Sequence, residues 1–424
     1  MGFFQASKIR VLLIGGGGRE HAVAWSLSKS PKVELIICAP GNGGTARGST
    51  KIMNCGPDIK ATDLTGLLVV AQTHRVDLVV PCSDSSIISG AVDFFETRGF
   101  RVFGPSKKAA KIEGSKSWAK AFMQRHKIPT AKYQSFSSPS EAISFLQSQP
   151  TSRHVVKASG LAAGKGVFLC QTNEEAEDAV KKIMVERAFG EAGEEIVIEE
   201  FLVGRELSVT IITDGKVWRL FPVGQDAQRI YDGNLGPNTG GMGVCIPSDL
   251  FTVDEIQEIQ QTILEPTIRG LENEGKTVNG PKLLEYNARF GDPEAQALFP
   301  LLDDASDLAD IMIACTEAQL ERVHMEFQQK AAVSLVVASS GYPGAYRVGE
   351  IIDFGALPQD VLVFHAGTSW AEDRLVTQGG RVLAVVCIAF STEEAIKGAY
   401  KGAQEINFKG KYLRTDIGQI LSSW

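Results

Sequence analysis

Val155-Val156-Lys157-Ala158-Ser159-Gly160-Leu161-Ala162-Ala163-Gly164-Lys165-Gly166-Val167 joins two short apolar runs through a glycine-rich turn. The β-branched residues at either end read as strands, and the glycines between them as a tight connection. Gly164-Lys165 is followed by Gly166 where a Walker A loop has Ser or Thr, and the context is strand–loop–strand instead of strand–loop–helix. Lys157 on a strand and Lys165 on a glycine-rich turn suit a flexible lid over a triphosphate. Glycine lets the backbone approach phosphate oxygens, and the ammonium groups neutralise them. An exposed basic hairpin without a ligand is the plainer reading.

Working outward, the residues around this hairpin come in close strand pairs. Val155–Lys157 faces Val167–Leu169, Ile196–Glu199 is set before Leu207–Ile212, and a helix over Glu174–Val185 lies between the pairs. This is α+β patterning with antiparallel hairpins. Upstream, Val11–Ile14, Val33–Cys38, Val76–Val80 and Arg101–Phe103 read as strands alternating with helices at His21–Ser28, Leu64–His74 and Ile87–Thr97. That alternation predicts a doubly wound parallel sheet. A helix at Ser115–His126 leads from it into the lysine-bearing region. Downstream come a polar loop, Asp232–Gly243, a helix over Val253–Asn273 and the run Pro281–Glu294. Strands at Ala332–Ser339, Glu350–Phe354, Val361–Phe364 and Val382–Phe390, and a helix at Thr392–Glu405, form a last β-rich unit. The expected fold class is therefore mixed α/β and α+β, multidomain, with units over 1–108, 109–330 and 331–424.

Two further stretches carry chemistry. Ile14-Gly15-Gly16-Gly17-Gly18-Arg19-Glu20-His21 follows a strand and opens a helix, so its amides and the helix dipole suit a phosphate. A dinucleotide fingerprint is disfavoured, because its sixth position is Glu20 and the second strand ends in Cys38-Ala39-Pro40-Gly41-Asn42, without an acid for a ribose hydroxyl. A tight turn without a ligand stays open. In Leu283-Leu284-Glu285-Tyr286-Asn287-Ala288-Arg289, a strand would point Glu285 and Asn287 to one face as hard oxygen ligands for Mg²⁺. Arg289 would continue that face and steady a developing phosphate charge. An ordinary charged strand edge is the competing reading. Ile196–Ser208 sets Glu199 and Glu200 at a strand end before a turn, a hinge suited to an adenine edge and a ribose.

Composition narrows the class. The chain of 424 residues is 44% hydrophobic and 22% charged, with net charge −7, which disfavours nucleic acid as a partner. Seven dispersed cysteines without CxxC spacing read as reduced thiols, neither a zinc site nor a disulfide framework. No apolar run approaches the ~20 residues that span a bilayer, and the first residues carry no signal-peptide pattern. A soluble, cytoplasmic protein with no membrane partner is expected.

These clusters, in this order, resemble the ATP-grasp superfamily. Arg289-Phe290-Gly291-Asp292-Pro293-Glu294 and Gly236-Pro237-Asn238-Thr239-Gly240-Gly241-Met242-Gly243 narrow the resemblance to the glycinamide ribonucleotide synthetases. It extends from Val11 through His365-Ala366-Gly367-Thr368 to Gly379-Gly380-Arg381-Val382-Leu383. The resemblance implies a Rossmann-like N-terminal unit, an ATP-grasp core whose lid covers about 130–200, and a C-terminal β-rich unit. It implies ATP-dependent ligation of glycine to 5-phosphoribosylamine through a glycyl phosphate, in purine biosynthesis, with other enzymes of that pathway as possible neighbours. Lys116, Lys157 and Lys165 would then hold ATP phosphates, Glu199, Glu200 and Leu202 the adenine, and Glu206 the ribose. Glu285 and Asn287 would bind Mg²⁺ or Mn²⁺. Gly18, Arg19, Asp84, Asp292 and Arg381 would line the phosphoribosylamine pocket. Asp226, Asn238, Thr239 and Arg289 would serve glycine and the acyl phosphate.

Three departures stand against that pattern. Cys82-Ser83-Asp84 replaces Gly-Pro-Glu, and Gln225-Asp226-Ala227-Gln228-Arg229 replaces Gln-Asp-His-Lys-Arg. Only Lys276-Thr277-Val278-Asn279-Gly280 stands between Gly275 and Pro281, where the family has a further core strand. The alternative expectation is therefore a homologue that binds nucleotide or partners without turnover.

Overall fold

The computed structural model describes residues 8–56, 58–150, 152–162, 164–247, 251–272 and 282–419. Five parallel strands, β1 (Ile9–Gly15), β2 (Val33–Pro40), β3 (Ile52–Asn54), β4 (Leu78–Pro81) and β5 (Arg101–Val102), form the first sheet in the order β3-β2-β1-β4-β5. Its central strand is apolar without alternation because both faces are covered. Val11 and Leu13 pack on the side of helix Gly18–Lys29, while Leu12 and Ile14 pack toward helix Leu64–Thr73. The single helix expected over Ile87–Thr97 is two, Asp84–Ile88 and Ala91–Glu96. Gly90, at φ +89° between them, adopts the left-handed conformation that breaks the helix.

The second sheet is antiparallel: β6 (Tyr133–Phe136), β7 (His154–Ala158), β8 (Val167–Cys170) and β9 (Ile196–Glu200), ordered β6-β9-β7-β8. The opening hairpin forms as read, with Val155 opposite Leu169 and Lys157 opposite Val167. The expected pairing of Ile196–Glu199 with Leu207–Ile212 does not form. Both edges of β9 are taken by β6 and β7, so Ile211–Thr213 pairs with Trp218–Leu220 instead. The helix expected at Glu174–Val185 runs over Asn173–Val180 and continues as one π turn, Lys181–Val185.

The third sheet crosses the boundary expected near 330. Ala331–Ser339 and Arg381–Ala389 form its centre, and Gln225–Asp226 and Gly243–Ile246 extend it on one side. Val361–His365 closes the other side, and Lys411–Tyr412 also pairs with Ala331–Ser339. The segment read as one polar loop, Asp232–Gly243, contains Leu235–Asn238, which pairs with Arg229–Tyr231.

The strand expected to carry Glu285 and Asn287 is absent as a hydrogen-bonded element. Among the described residues its segment makes one isolated bridge, Leu283 to Thr130, because no neighbouring strand offers a ladder beyond that point. The alternation survives: Glu285 and Asn287 are exposed, while Tyr286 and Ala288 pack on the cluster of Phe122, Met123 and Ile263. The short bridge between Gly275 and Pro281 lies outside the described residues. Among those described, no helix is long and apolar enough to cross a membrane.

Candidate active site

Two charged constellations are linked through Glu113, which pairs with Arg289 of the first and acts on the charge of Lys116 in the second. The first is built on the glycine loop after β1. Gly17 caps helix Gly18–Lys29, with its amide donating to Glu20 Oε2 at 2.7 Å, so Glu20 is engaged in holding the loop. Asn42 at the end of β2 donates to the carbonyls of Gly16 (3.1 Å), Gly17 (3.2 Å) and His365 (2.7 Å), tying that loop to the third sheet. Gly18 packs so tightly that an added Cβ would stand 2.5 Å from Gln296 Nε2.

Around this loop the structure gathers Arg19, Asp84, Arg289, Asp292 and Arg381, which lie far apart in the chain. Arg19 donates to Asp84 Oδ1 at 3.2 Å and to the Phe290 carbonyl at 3.1 Å. Arg289 donates to the same Asp84 oxygen at 2.7 Å and pairs with Glu113 at 3.1 Å. Arg289 is thereby turned toward Asp84 and Glu113 instead of continuing the face of Glu285. Arg381 donates to the carbonyls of Gly240 and Asp292, both at 2.6 Å, and lies 3.4 Å from the Asp292 carboxylate. Burial alone would raise Asp84 and Asp292. For Asp84 the guanidinium groups of Arg289 and Arg19 outweigh it, and for Asp292 those of Arg381, Arg19 and Arg289 do, so both carboxyls titrate below their usual range.

The second constellation is built on the second sheet. Glu199 on β9 lies between two ammonium groups, Lys120 and Lys157, each at 3.1 Å. Lys120 and Glu199 are each 2% exposed. Lys157 stands near Glu199 Oε1 without the alignment of a hydrogen bond, and its ammonium also points to the Leu284 carbonyl at 3.4 Å. Burial pushes Lys120 down to about 8, against the pull of Glu199 and with the repulsion of Lys157. Burial also lowers Lys116, which feels Glu285 and Lys157. Lys120 then donates to Thr130 Oγ1 at 2.7 Å, and Thr130 donates to the Leu283 carbonyl at 2.6 Å, a relay that ends on the segment bearing Glu285.

Opposite these cations stands an excess of carboxylates. Burial and then Glu294 and Glu206 raise Asp226 well above its usual range. Burial and Glu285 raise Glu206, with Lys157 and Arg229 opposing. The Glu206 side chain is reached by solvent yet encircled by protein, as befits a residue lining a cleft. Such crowding of hard oxygens suits a divalent cation. Among the described residues no three His, Cys, Asp or Glu side chains stand close enough to hold one by themselves.

The remaining expected residues are more peripheral. Glu200 accepts from Lys282 Nζ at 2.7 Å and from the Lys132 amide at 2.9 Å, so its carboxylate is engaged away from the cleft. Leu202 is half-buried on the irregular segment after β9. Thr239 is fully buried, with its hydroxyl donating to the Gln228 carbonyl at 2.8 Å, whereas Asn238 is half-buried on the paired strand. Lys165 is exposed on the turn between β7 and β8, 5.7 Å from the centre of the Tyr342 ring. Beside it Gly164, at φ +73°, fits so closely that an added Cβ would lie 2.5 Å from the Thr239 carbonyl oxygen. Lys120, Glu113, Asn42, Glu294 and Gln296 were not anticipated. Lys120 had a signal, lying one helical turn after Lys116; Glu113 and Gln296 had none.

Comparison with known proteins shows the family. Family models described as phosphoribosylglycinamide synthetase match residues 9–113 (N domain), 114–295 (ATP-grasp (A) domain) and 332–420 (C domain). A phosphoribosylamine–glycine ligase of Chlorobaculum tepidum is 43% identical over 97% of this chain and 99% of its own. That of Escherichia coli strain K12 is 42% identical over 97% and 98%. A bifunctional purine biosynthetic protein of Pichia angusta is 44% identical, with the match covering 97% of this chain and 53% of that protein. The crystal structure of the Thermotoga maritima phosphoribosylamine–glycine ligase aligns with a TM-score of 0.81 at 32% identity, over 96% of this chain and all of that one. The biotin carboxylase domain of the Hydrogenobacter thermophilus 2-oxoglutarate carboxylase shares the fold, with a TM-score of 0.69 at 15% identity over 95% of this chain and 91% of that one. The chain belongs to the phosphoribosylglycinamide synthetase family.

Proposed function

We propose that the protein joins glycine to 5-phosphoribosylamine, converting ATP to ADP and phosphate, as a cytoplasmic enzyme of purine biosynthesis. The observation that carries this reading is the linkage of the two constellations through Glu113, an arginine–carboxylate set at the glycine loop and a lysine–carboxylate set on the second sheet. It is supported by end-to-end similarity to ligases of that name.

In this reading Lys116, Lys157 and Lys165 neutralise ATP phosphates, the Glu199–Leu202 backbone meets the adenine and Glu206 the ribose. Glu285 and Asn287 would hold Mg²⁺ or Mn²⁺, which would supply charge neutralisation at the phosphates. A glycine carboxylate oxygen attacks the γ-phosphorus and ADP leaves, giving glycyl phosphate. Asp226 and Asn238 orient glycine by its ammonium group, and the Thr239 loop closes the site against water. The phosphoribosylamine nitrogen, set in place by Gly18, Arg19, Asp84, Asp292 and Arg381, then attacks the acyl carbon. Phosphate leaves and the amine loses a proton to solvent. Arg289, whose guanidinium lies between Asp84 and Glu113, balances charge as the acyl phosphate breaks down. The protein supplies positioning and electrostatics. The three units over 1–108, 109–330 and 331–424 belong to the same proposal, as do other enzymes of the pathway as partners.

Purified protein should release ADP only when glycine and phosphoribosylamine are both present. ADP release that ignores either substrate, or no release with ATP still bound, overturns the reading.

A further inference from the structure

The hairpin Arg229–Asn238 and the turn after it face the lid, yet the hairpin sheet has two strands and little core of its own. Its far end is held by Arg381 through the carbonyls of Gly240 and Gly241. The near end is gripped by a segment about 180 residues later in the chain, Tyr412–Asp416. Arg414 is 0% exposed, the largest fully buried side chain among the described residues. It donates to both oxygens of Asp416 at 2.8 Å and to the Arg229 carbonyl at 2.9 Å. Asp416 in turn accepts from the Gly233 amide at 2.7 Å, and Asp232 accepts from the Thr415 amide at 2.8 Å and from its hydroxyl. The Tyr412 hydroxyl donates to the Ile230 carbonyl at 2.8 Å. The segment is itself fixed from behind, since the Tyr400 hydroxyl donates to the Arg414 carbonyl at 3.0 Å and accepts from the Ile417 amide at 2.9 Å.

Burying a guanidinium is unfavourable unless every donor finds a partner in good geometry, and a hydrocarbon of equal volume would fill the space as well. What the planar fork adds is direction, because a bidentate pair fixes both its partners. Here the partners are the hairpin backbone and the carboxylate that holds the next hairpin amide. The Arg229 side chain then extends toward the cleft, donating to the Gly236 carbonyl at 3.4 Å and opposing the charge of Glu206.

We propose that Arg414, with Asp416, is a positioning residue that sets the Arg229–Gly243 hairpin for glycine and for lid closure. The proposal rests on the ligase reading above for its kinetic consequence but not for its structural one. It is tested on the full chain with Arg414→Lys, which keeps charge and loses the fork. The double variant Tyr412→Phe/Thr415→Val, which removes two hydroxyls, serves where the first fails to fold.

Two measurements are made: hydrogen exchange of the amides at 229–243, and KM for each of the three substrates. Exchange over 229–238 should accelerate about tenfold while β1 and β4 stay protected, since only the near anchor is loosened. The glycine KM should rise about fivefold or more, with the phosphoribosylamine KM within about twofold. Unchanged exchange in the hairpin overturns the proposal, as does an equal rise in all three KM values or a loss of thermal stability with no change in any. Absence of substrate-dependent ADP release by the wild type would sink the ligase reading instead, and exchange would still decide whether Arg414 sets the hairpin.

Discussion

Replacing Lys120 with Met removes one of the two cations flanking Glu199. Both Lys120 and Glu199 are 2% exposed, so solvent cannot take over the lost interaction. Glu199 keeps Lys157 at 3.1 Å, without an aligned hydrogen bond. Breaking one partner out of a buried pair costs about 3–5 kcal/mol, because the remaining charge stays desolvated. At about 2–4 °C per kcal/mol for a domain of this size, the thermal midpoint should fall by about 6–20 °C. A functional effect follows from the same geometry. With Lys120 gone, Lys157 is drawn fully onto Glu199, and the relay from Lys120 through Thr130 to the Leu283 carbonyl is cut. The KM for ATP should therefore rise more than that for glycine. Scanning calorimetry and steady-state kinetics on Lys120→Met, Glu199→Gln and the double variant test both parts. The double variant should lose less than the sum of the singles by about 1 kcal/mol or more, the signature of direct coupling. A fall in midpoint under about 2 °C for Lys120→Met, or strict additivity, would refute the reasoning.

Glu285→Ala should lower turnover by at least about a hundredfold through loss of a metal ligand while leaving the thermal midpoint nearly unchanged, since exposed positions cost within about 0.5 kcal/mol; retained turnover would remove Glu285 from the site. Gly164→Ala forces a left-handed residue and a Cβ against the Thr239 carbonyl, so the lid turn must shift and the KM for ATP should rise several-fold with stability changed by about 1–2 kcal/mol; an unaltered KM would show that the turn does not close there. Asp84 and Asp292 titrate below their usual range in the folded chain. An unfolded aspartate titrates near about 3.9, so their stabilising contribution is complete above that pH and is lost as pH falls through the lower folded values. Asp84→Asn should accordingly flatten the loss of thermal midpoint as pH falls below about 4, and an undiminished loss would show that other carboxylates govern acid unfolding.

How much was readable in the chain differs between fold and site. The central strands of the parallel sheet were plain, because both faces are buried and the apolar run is continuous. The β7–β8 hairpin was equally plain, because its partners are neighbours in sequence and a glycine turn joins them. The pairing of Ile196–Glu199 was misread, because its partners are chosen by competition among edges and proximity in sequence does not decide it. Leu283–Asn287 was expected as a strand on its pattern alone. Pattern fixes which side chains share a face, but a strand also needs a neighbour to bond to, and the pattern cannot supply one.

The residue types needed for phosphate, metal and amine chemistry, and the order in which they occur, were determined by the sequence alone. Local spacing sets what a strand end or a glycine turn presents. Only the tertiary structure decided that Arg289 turns to Asp84 and Glu113, that Lys120 joins Lys157 at Glu199, and that Arg414 reaches the Arg229 carbonyl. Each of these is a long-range polar contact, between charged side chains for Arg289 and Lys120 and with the Arg229 backbone carbonyl for Arg414. Its partner is selected by which polar groups burial brings together, and no local pattern records that choice.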